Sequence, residues 1–336
     1  MKNLLYIGNK LSGNGKTETT IDVLTQLLGL EGYIVNSFSN KKNKFIRLFD
    51  MLFNIIKYSK GVDYVLIDTY STSNFYYAYF CSQLCRFFKL KYIPILHGGN
   101  LPFRLKNNPK LSKSIFNNAY RNIAPSGYMM SNFESFGYSN LDVIPNVIEI
   151  EKYPFKLRTY DDVKLLWVRS FSEIYNPNLA IDLLFKLQQE GVEASLCMVG
   201  PEKDGSLNKA KIYAKSLNVE VQFTGKLSKK EWIKCSEDYN IFINTTNFDN
   251  MPVSVIEAMA LGLPVVSTNV GGMPFLIENE KEGFLVNPDD SNLFMQAIIR
   301  ILTKSKESQR MAVMARKKVE QFDWEIVRSK WNDVLR

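Results

Sequence analysis

Histidine is nearly missing from this chain: a single residue, His97, stands among 336. A metal centre built from several imidazoles is thereby excluded. Cysteine is sparse as well. Cys81, Cys85, Cys197 and Cys235 form no zinc-ribbon spacing, and Cys81 and Cys85 read CxxxC rather than CxxC. So few cysteines in so long a chain make no disulfide framework, and free thiols in a reducing cytoplasm are expected. Long apolar runs are absent too. No uncharged stretch holds the run of about 18 apolar residues that marks a bilayer-spanning helix. The opening MKNLLYIGNK is too short in its apolar part for a secretory signal, with Gly8 and Lys10 following at once.

What is present is ordinary globular composition, 46% hydrophobic and 23% charged, which excludes disordered and fibrous classes. The length fits two domains of about 150 residues each. The formal net charge is +8, and all of it sits on residues 1–150; residues 151–336 balance to zero. A one-sided field of this kind favours anionic partners: phosphates, an acidic membrane surface or nucleic acid.

Short apolar runs alternate with amphipathic stretches. Leu4–Gly8, Tyr33–Phe38, Tyr64–Asp68 and Tyr92–Leu96 read as strands, with shorter ones at Asn122–Pro125 and Val143–Pro145. Thr17–Leu28 reads as a helix with Ile21, Leu24, Leu27 and Leu28 on one face. The pattern restarts with strands expected at Lys164–Val168, Ala194–Val199, Val219–Phe223, Ile241–Asn244 and Pro264–Ser267. Helices are expected at Asn178–Gln189, Lys209–Ser216, from Ser254 onward, and through 291–319. Strands interleaved with helices predict an α/β chain of two Rossmann-like doubly wound domains facing a cleft. The expected bounds are 1–155 and 156–320, with 321–336 as a closing helix. Ligands of such sheets lie beyond the C-terminal strand ends. The loops to search are therefore Gly8–Gly15, His97–Asn100, Arg169–Pro177, Gly200–Gly205 and Asn244–Pro252.

The densest stretch is FDNMPVSVIEAMALGLPVVSTNVGGMP, residues 248–274. Pro252 suits a first helical turn and Ser254 can cap it. Glu257 then lies one to two turns in, where a carboxylate can accept hydrogen bonds from two vicinal hydroxyls such as those of a ribose. Asp249, in the loop before, can do the same for a sugar. An acidic helix start stabilised by the macrodipole is the plain alternative for either residue taken singly. It does not account for LGLPVVS and the Gly271-Gly272 turn.

This stretch resembles the donor-binding motif of glycosyltransferase family 4, whose fold is GT-B. The family shows two Glu with seven residues between them, then AMAxGxPVV and a Gly-Gly turn. Glu257 matches the second Glu; Asp249, one methylene shorter, stands for the first. Ala124-Pro125-Ser126 with Val143-Ile144-Pro145-Asn146 is similar to the end of the family's acceptor domain. Trp167-Val168-Arg169, Met198-Val199-Gly200-Pro201 and Phe223-Thr224-Gly225 are similar to its donor-domain strand ends. The resemblance implies a retaining, metal-independent glycosyltransferase that needs no cofactor beyond its nucleotide-sugar donor, most often a UDP-sugar. It implies that Glu257 holds ribose hydroxyls. It also implies that Asp249 and the backbone of Asn250 and Met251 hold the transferred sugar, with Arg169 neutralising the diphosphate and His97 approaching the reacting carbon. Gly13, Asn14, Gly200, Pro252 and Ser254 fall on the donor side; Gly15, Gly98 and Gly99 fall with His97 on the acceptor side. The acceptor implied is a glycan or lipid-linked glycan, and the last helix is expected to cross back to the first domain. One departure stands out. The family places a Lys about five residues after the Arg, whereas this chain reads RSFSEIYNP, with Ile174 and Tyr175 there.

His97 ends the strand YIPIL and is followed by two glycines, where an imidazole can donate a hydrogen bond or accept a proton. A lone His is also a common structural residue. Gly15-Lys16-Thr17 resembles the end of a phosphate-binding P-loop, with Asp68 as an acidic strand end, but Lys10 occupies the position of the loop's first Gly. Residues 41–60 place Lys41, Lys42, Lys44, Arg47, Lys57 and Lys60 against a single Asp50, with apolar residues at near-helical spacing. A helix lying on an anionic membrane and a core-packed helix with a solvated basic face both fit. Phe103, Arg104, Lys106, Lys110, Lys113 and Phe116 add a second basic, aromatic stretch over 103–116. A peripheral position at the inner membrane face fits these stretches. No RRM, KH or helix-turn-helix pattern accompanies the charge, so nucleic acid is not expected as a partner. A sugar-nucleotide epimerase, a P-loop NTPase and a non-catalytic nucleotide-sugar-binding paralogue remain open beside the transferase.

Overall fold

The computed structural model describes residues 1–10, 19–288 and 290–336. They divide into two units: Met1–Val147 together with Trp324–Arg336, and Ile148–Asp323.

The first unit carries strands β1 (Asn3–Ile7), β2 (Ile34–Phe38), β3 (Tyr64–Thr69), β4 (Tyr92–Leu96), β5 (Asn122–Ala124) and β6 (Leu141–Val143). Its helices are α1 (Thr20–Leu30), α2 (Lys44–Tyr58), α3 (Phe75–Phe87), α4 (Leu101–Asn107), α5 (Pro109–Phe116) and α6 (Gly127–Ser135). The strands form one parallel sheet in the order β2-β1-β3-β4-β5-β6. Its strands are apolar on both faces because a parallel sheet is covered on both; every residue of β3 and β4 is buried. The α1 stripe of Ile21, Leu24, Leu27 and Leu28 is buried as its spacing predicts. The last short strand is Leu141–Val143 rather than Val143–Pro145; Pro145 has no N–H to give a ladder.

The second unit carries β7 (Val163–Val168), β8 (Ala194–Val199), β9 (Gln222–Gly225), β10 (Ile241–Asn244), β11 (Val265–Thr268) and β12 (Phe284–Val286). Its helices are α7 (Pro177–Gln189), α8 (Ser206–Ser216), α9 (Lys229–Cys235), α10 (Val253–Ala260), α11 (Met273–Leu276), α12 (Ser291–Thr303) and α13 (Ser305–Glu320). The sheet order is β12-β11-β10-β7-β8-β9, all parallel. Chain order therefore reverses between β7 and β10, the point at which doubly wound sheets take ligands. The strand expected at Val219–Phe223 starts three residues later, because Asn218 turns the chain at φ 55°. The helix expected through 291–319 is two helices, broken at Lys304 (φ −118°, ψ 54°).

A last helix, α14 (Trp324–Val334), belongs to the first unit. Trp324, Val327 and Trp331 join the α1 stripe in one apolar cluster. Lys2 Nζ donates to the Leu335 carbonyl (2.8 Å) and the Tyr64 hydroxyl to that of Arg336 (2.6 Å). No helix among the described residues is long and apolar enough to cross a membrane.

Candidate active site

β7 delivers Arg169 to the reversal point of the second sheet. The turn is tight: Arg169 N donates to the Val199 carbonyl (3.0 Å), and Gly200 N to that of Gly225 (2.9 Å). A Cβ at Gly200, whose φ is 155°, would run into the Arg169 carbonyl. Gly200 is thus glycine because the Arg169 backbone lies against it, a packing role distinct from the donor contact expected of it.

On the other side of the reversal, β10 leads into residues 245–252. Hydroxyls pin this loop: Trp167 Nε1 donates to Thr245 Oγ1 (3.0 Å), Thr245 Oγ1 to the Tyr175 carbonyl (2.8 Å) and Thr268 Oγ1 to the Thr246 carbonyl (2.6 Å). Gly272 N donates to the Asp249 carbonyl (3.0 Å). Gly271 sits at φ 53°, and a side chain there would strike the Asp249 carbonyl; one at Gly272 would strike that of Asn250. The Gly-Gly turn is therefore what lets the backbone of residues 249–250 approach. In that position the Asp249 carboxylate forms an ion pair with the Arg169 guanidinium. Burial pulls the Arg169 pKa below its ordinary value, partly offset by Tyr175.

Tyr175 stands near where a second cation was expected. Its ring lies 4.3 Å from the Arg169 guanidinium carbon, a cation–π distance, and Lys203 Nζ lies 5.8 Å from the same ring. The loop carrying Lys203 is fixed by Glu202, whose Oε1 accepts from the backbone N–H of Lys203, Asp204 and Gly205 at 2.6–2.9 Å. The missing lysine thus has a cationic neighbour from another loop, placed around an aromatic ring.

Pro252 is the N-cap of α10, with φ −69° and ψ 120°. Ser254 does not cap it; its hydroxyl is buried with no hydrogen-bond partner among the described residues. Met251 is in the core, so only its backbone is on offer to a ligand, and Asn250 is buried. Glu257 lies in the second turn of α10 and is buried. Its Oε1 accepts from the Tyr153 hydroxyl (2.7 Å) and pairs with Lys229 Nζ. Lys229 opens α9, whose start is set by a capping box: Ser228 N donates to Glu231 Oε2 (2.7 Å), and Glu231 N to Ser228 Oγ (3.3 Å). Arg316 on α13 donates to the carbonyls of Tyr153 (2.8 Å) and Ala260 (2.7 Å), which ties Tyr153 to the end of α10. Tyr153, Lys229 and Arg316 escaped the sequence reading, since each belongs to the site through a partner distant in the chain.

In the first unit, His97 Nε2 meets Asp68 Oδ1 at 2.9 Å, and the Tyr6 hydroxyl donates to the same oxygen at 2.8 Å. Tyr70 stacks on the imidazole with centroids 5.5 Å apart. Burial raises the Tyr6 phenol well above its ordinary pKa, with the Asp68 charge adding to it. A Cβ on Gly8 would meet the Asp68 carboxylate, and one on Gly98 the backbone of Tyr70 and Ser71. Asp68 is thus committed to holding His97, with Gly98 and Gly99 following in the same loop. Gly13, Asn14 and Gly15, and Lys16 of the P-loop reading, lie outside the described residues.

Two parallel doubly wound sheets, with a guanidinium–carboxylate pair at the reversal point of the second, define a Rossmann-like class of α/β protein. Residues 149–318, just over half of the chain, match the model of the family described as glycosyl transferases group 1, and the chain belongs to that family. It is 28% identical over 181 residues to an amylovoran biosynthesis glycosyltransferase of Erwinia amylovora, covering 52% of this chain and 44% of that one. It is 27% identical over 154 residues to a sulfoquinovosyl transferase of Arabidopsis thaliana, covering 45% and 29%. The matched segment thus spans less than half of either relative. Among solved structures, Anabaena HepE in complex with UDP-glucose superposes with a TM-score of 0.82 at 16% identity, covering 100% of this chain and 99% of that one. A sucrose-phosphate synthase of Thermosynechococcus elongatus does so at 0.83 and 15%, covering 99% and 98%. The fold is GT-B, with two Rossmann-like domains.

Proposed function

We propose that the chain is a retaining glycosyltransferase of family 4 that takes a sugar from a UDP-sugar donor. The observation that carries this reading is the meeting of Arg169 and Asp249 at the sheet's reversal point, with Glu257 on the helix that follows. Glu257 is assigned to the ribose hydroxyls. Its Oε1 is already steadied by Tyr153 and Lys229, so a ribose meets an oriented carboxylate. Asp249 and the backbone of Asn250 and Met251 are assigned to the sugar. As the glycosidic bond breaks, negative charge grows on the diphosphate. Arg169, seconded by Lys203 and the N–H groups at the start of α10, receives it. Held by Asp249 beforehand, the guanidinium needs little reorganisation. The first unit is assigned to the acceptor, with Asp68 orienting His97 through Nε2, so an outside partner meets Nδ1. The UDP choice is supported by HepE, whose structure holds UDP-glucose. The excess positive charge of residues 1–150 supports an anionic, lipid-linked glycan as acceptor, in the synthesis of a polysaccharide or glycoconjugate at the cytoplasmic membrane face.

The test is a thermal-shift screen against UDP-, GDP- and ADP-sugars on the parent chain and on Glu257→Ala. A UDP-sugar should raise the melting temperature of the parent most. The variant should bind it more weakly by about 1–3 kcal/mol, the scale of lost hydrogen bonds to a charged group. Equal shifts for parent and variant would remove Glu257 from the site.

A further inference from the structure

The helix α2 is apolar over most of its circumference, with Arg47, Asp50, Asn54 and Lys57 along one side. Met51 and Ile55 enter the core of the first unit, with Leu48 and Leu52 packed against it. The opposite side is also apolar, and it is bare: Phe45 is 76% exposed, Phe49 70%, Phe53 62%, Ile46 56% and Ile56 51%. At 100° per residue these five fall within one third of the helix circumference. An amphipathic surface helix would carry polar residues there.

Lysines frame the stripe. Lys41, Lys42 and Lys44 precede or open the helix and Lys57 and Lys60 end it; all five are exposed. The three at the N-terminus oppose the helix dipole, which favours anions there. The chain nevertheless fixes this end firmly. Asn43 Oδ1 accepts from Phe45 N (2.9 Å) and Ile46 N (3.2 Å). Arg47 turns its guanidinium inward to the carbonyls of Lys41 (2.7 Å) and Lys42 (2.9 Å). An arrangement unfavourable within the chain and yet rigidly built points to a partner outside it. The second basic stretch, 103–116, is different: Phe116 is buried, and Arg104 donates to the Ser71 carbonyl (2.7 Å).

We infer that α2 is an interfacial helix that docks the first unit on an anionic lipid bilayer. Its Phe and Ile side chains enter the acyl boundary, and the flanking ammonium groups meet lipid phosphates. A helix of this length lies in the interface over about 22 Å. Protein interfaces also take aromatics, but they are depleted in lysine; a lysine frame around an aromatic stripe complements acidic headgroups. The inference does not depend on glycosyl transfer.

Flotation of the full chain with phosphatidylcholine vesicles, with and without phosphatidylglycerol, tests it. The parent should float with the acidic vesicles, and Phe49→Trp should blue-shift its emission on binding them. Replacing Phe45, Phe49 and Phe53 by Ser should lower partitioning about tenfold or more with the thermal midpoint preserved. Lys→Gln at 41, 42 and 44 should erase the preference for the acidic lipid. Equal partitioning into both vesicle types, no spectral shift in Phe49→Trp, or a dimer in sedimentation that the triple Ser change dissolves, would each overturn the inference. The single Trp substitution keeps the test decisive should the triple variant misfold.

Discussion

If Arg169 and Asp249 form only a structural pair, removing both residues together should be harmless. If they hold a donor, it should not. Asp249→Ala leaves the guanidinium buried without its partner. Breaking a fully buried pair costs about 3–5 kcal/mol. These side chains keep 14% and 18% of their surface, so water shares the load and about 2–4 kcal/mol is expected. For a protein of this size that is a fall in melting temperature of about 4–16 °C, at about 2–4 °C per kcal/mol. Arg169→Ala should cost a similar amount. The double variant leaves no orphaned charge and should recover most of the stability. Turnover should behave differently. Loss of a preorganised cation at the leaving diphosphate costs about 10²–10³ in rate, and the double variant should be as slow as Arg169→Ala. The assay is calorimetric unfolding of the three variants beside UDP release from UDP-glucose. A double variant that regains both stability and turnover would refute the reasoning and leave the pair as scaffold.

Three further outcomes follow from individual contacts. Tyr153→Phe removes a hydrogen bond to the buried Glu257 carboxylate and should lower stability by about 1.5–3 kcal/mol; an unchanged unfolding midpoint would show that Tyr153 does not steady Glu257. Gly271→Ala places a side chain at positive φ against the Asp249 carbonyl, costing at least about 1–2 kcal/mol and weakening UDP-sugar binding as residue 249 is displaced; calorimetry showing native affinity would contradict this. Asp204 is held well below the usual carboxylate range by the hydroxyls of Ser172 and Ser206. A depressed folded-state pKa stabilises above the unfolded value of about 3.9 and is lost as pH falls through the folded one. The stability gap between the parent and Asp204→Asn should therefore hold down to about pH 4 and narrow below it; a gap that persists at lower pH would exclude the charge as its source.

The doubly wound architecture was legible because buried parallel strands such as YVLID and YIPIL leave little doubt about period or length. The aromatic α3 was not: FYYAYF favours a strand by propensity, and the buried stripe that makes it a helix runs through Ala78, Cys81, Ser82 and Cys85, residues with weak apolar signal. At the candidate site, Asp249 and Glu257 stand out within one contiguous string, and the glycines beside them announce a close backbone approach. Their supports do not. Tyr153 lies in a stretch that reads as a charged linker, Lys229 in an ordinary basic helix start, and Arg316 on a far helix; only folding brings them to the end of α10. The absent lysine after Arg169 is equally a local feature of the sequence; only the fold shows Lys203, in the loop after β8, 5.8 Å from the Tyr175 ring. Nothing in a helical wheel of residues 41–60 distinguishes its two apolar faces, so which of them the core covers had to await the structure.

The most direct measurement is a crystal structure of the chain grown with UDP or a UDP-sugar. The account predicts ribose hydroxyls on the Glu257 carboxylate and the diphosphate on the Arg169 guanidinium. A nucleotide bound elsewhere, with the Arg169–Asp249 pair and Glu257 untouched, would contradict it.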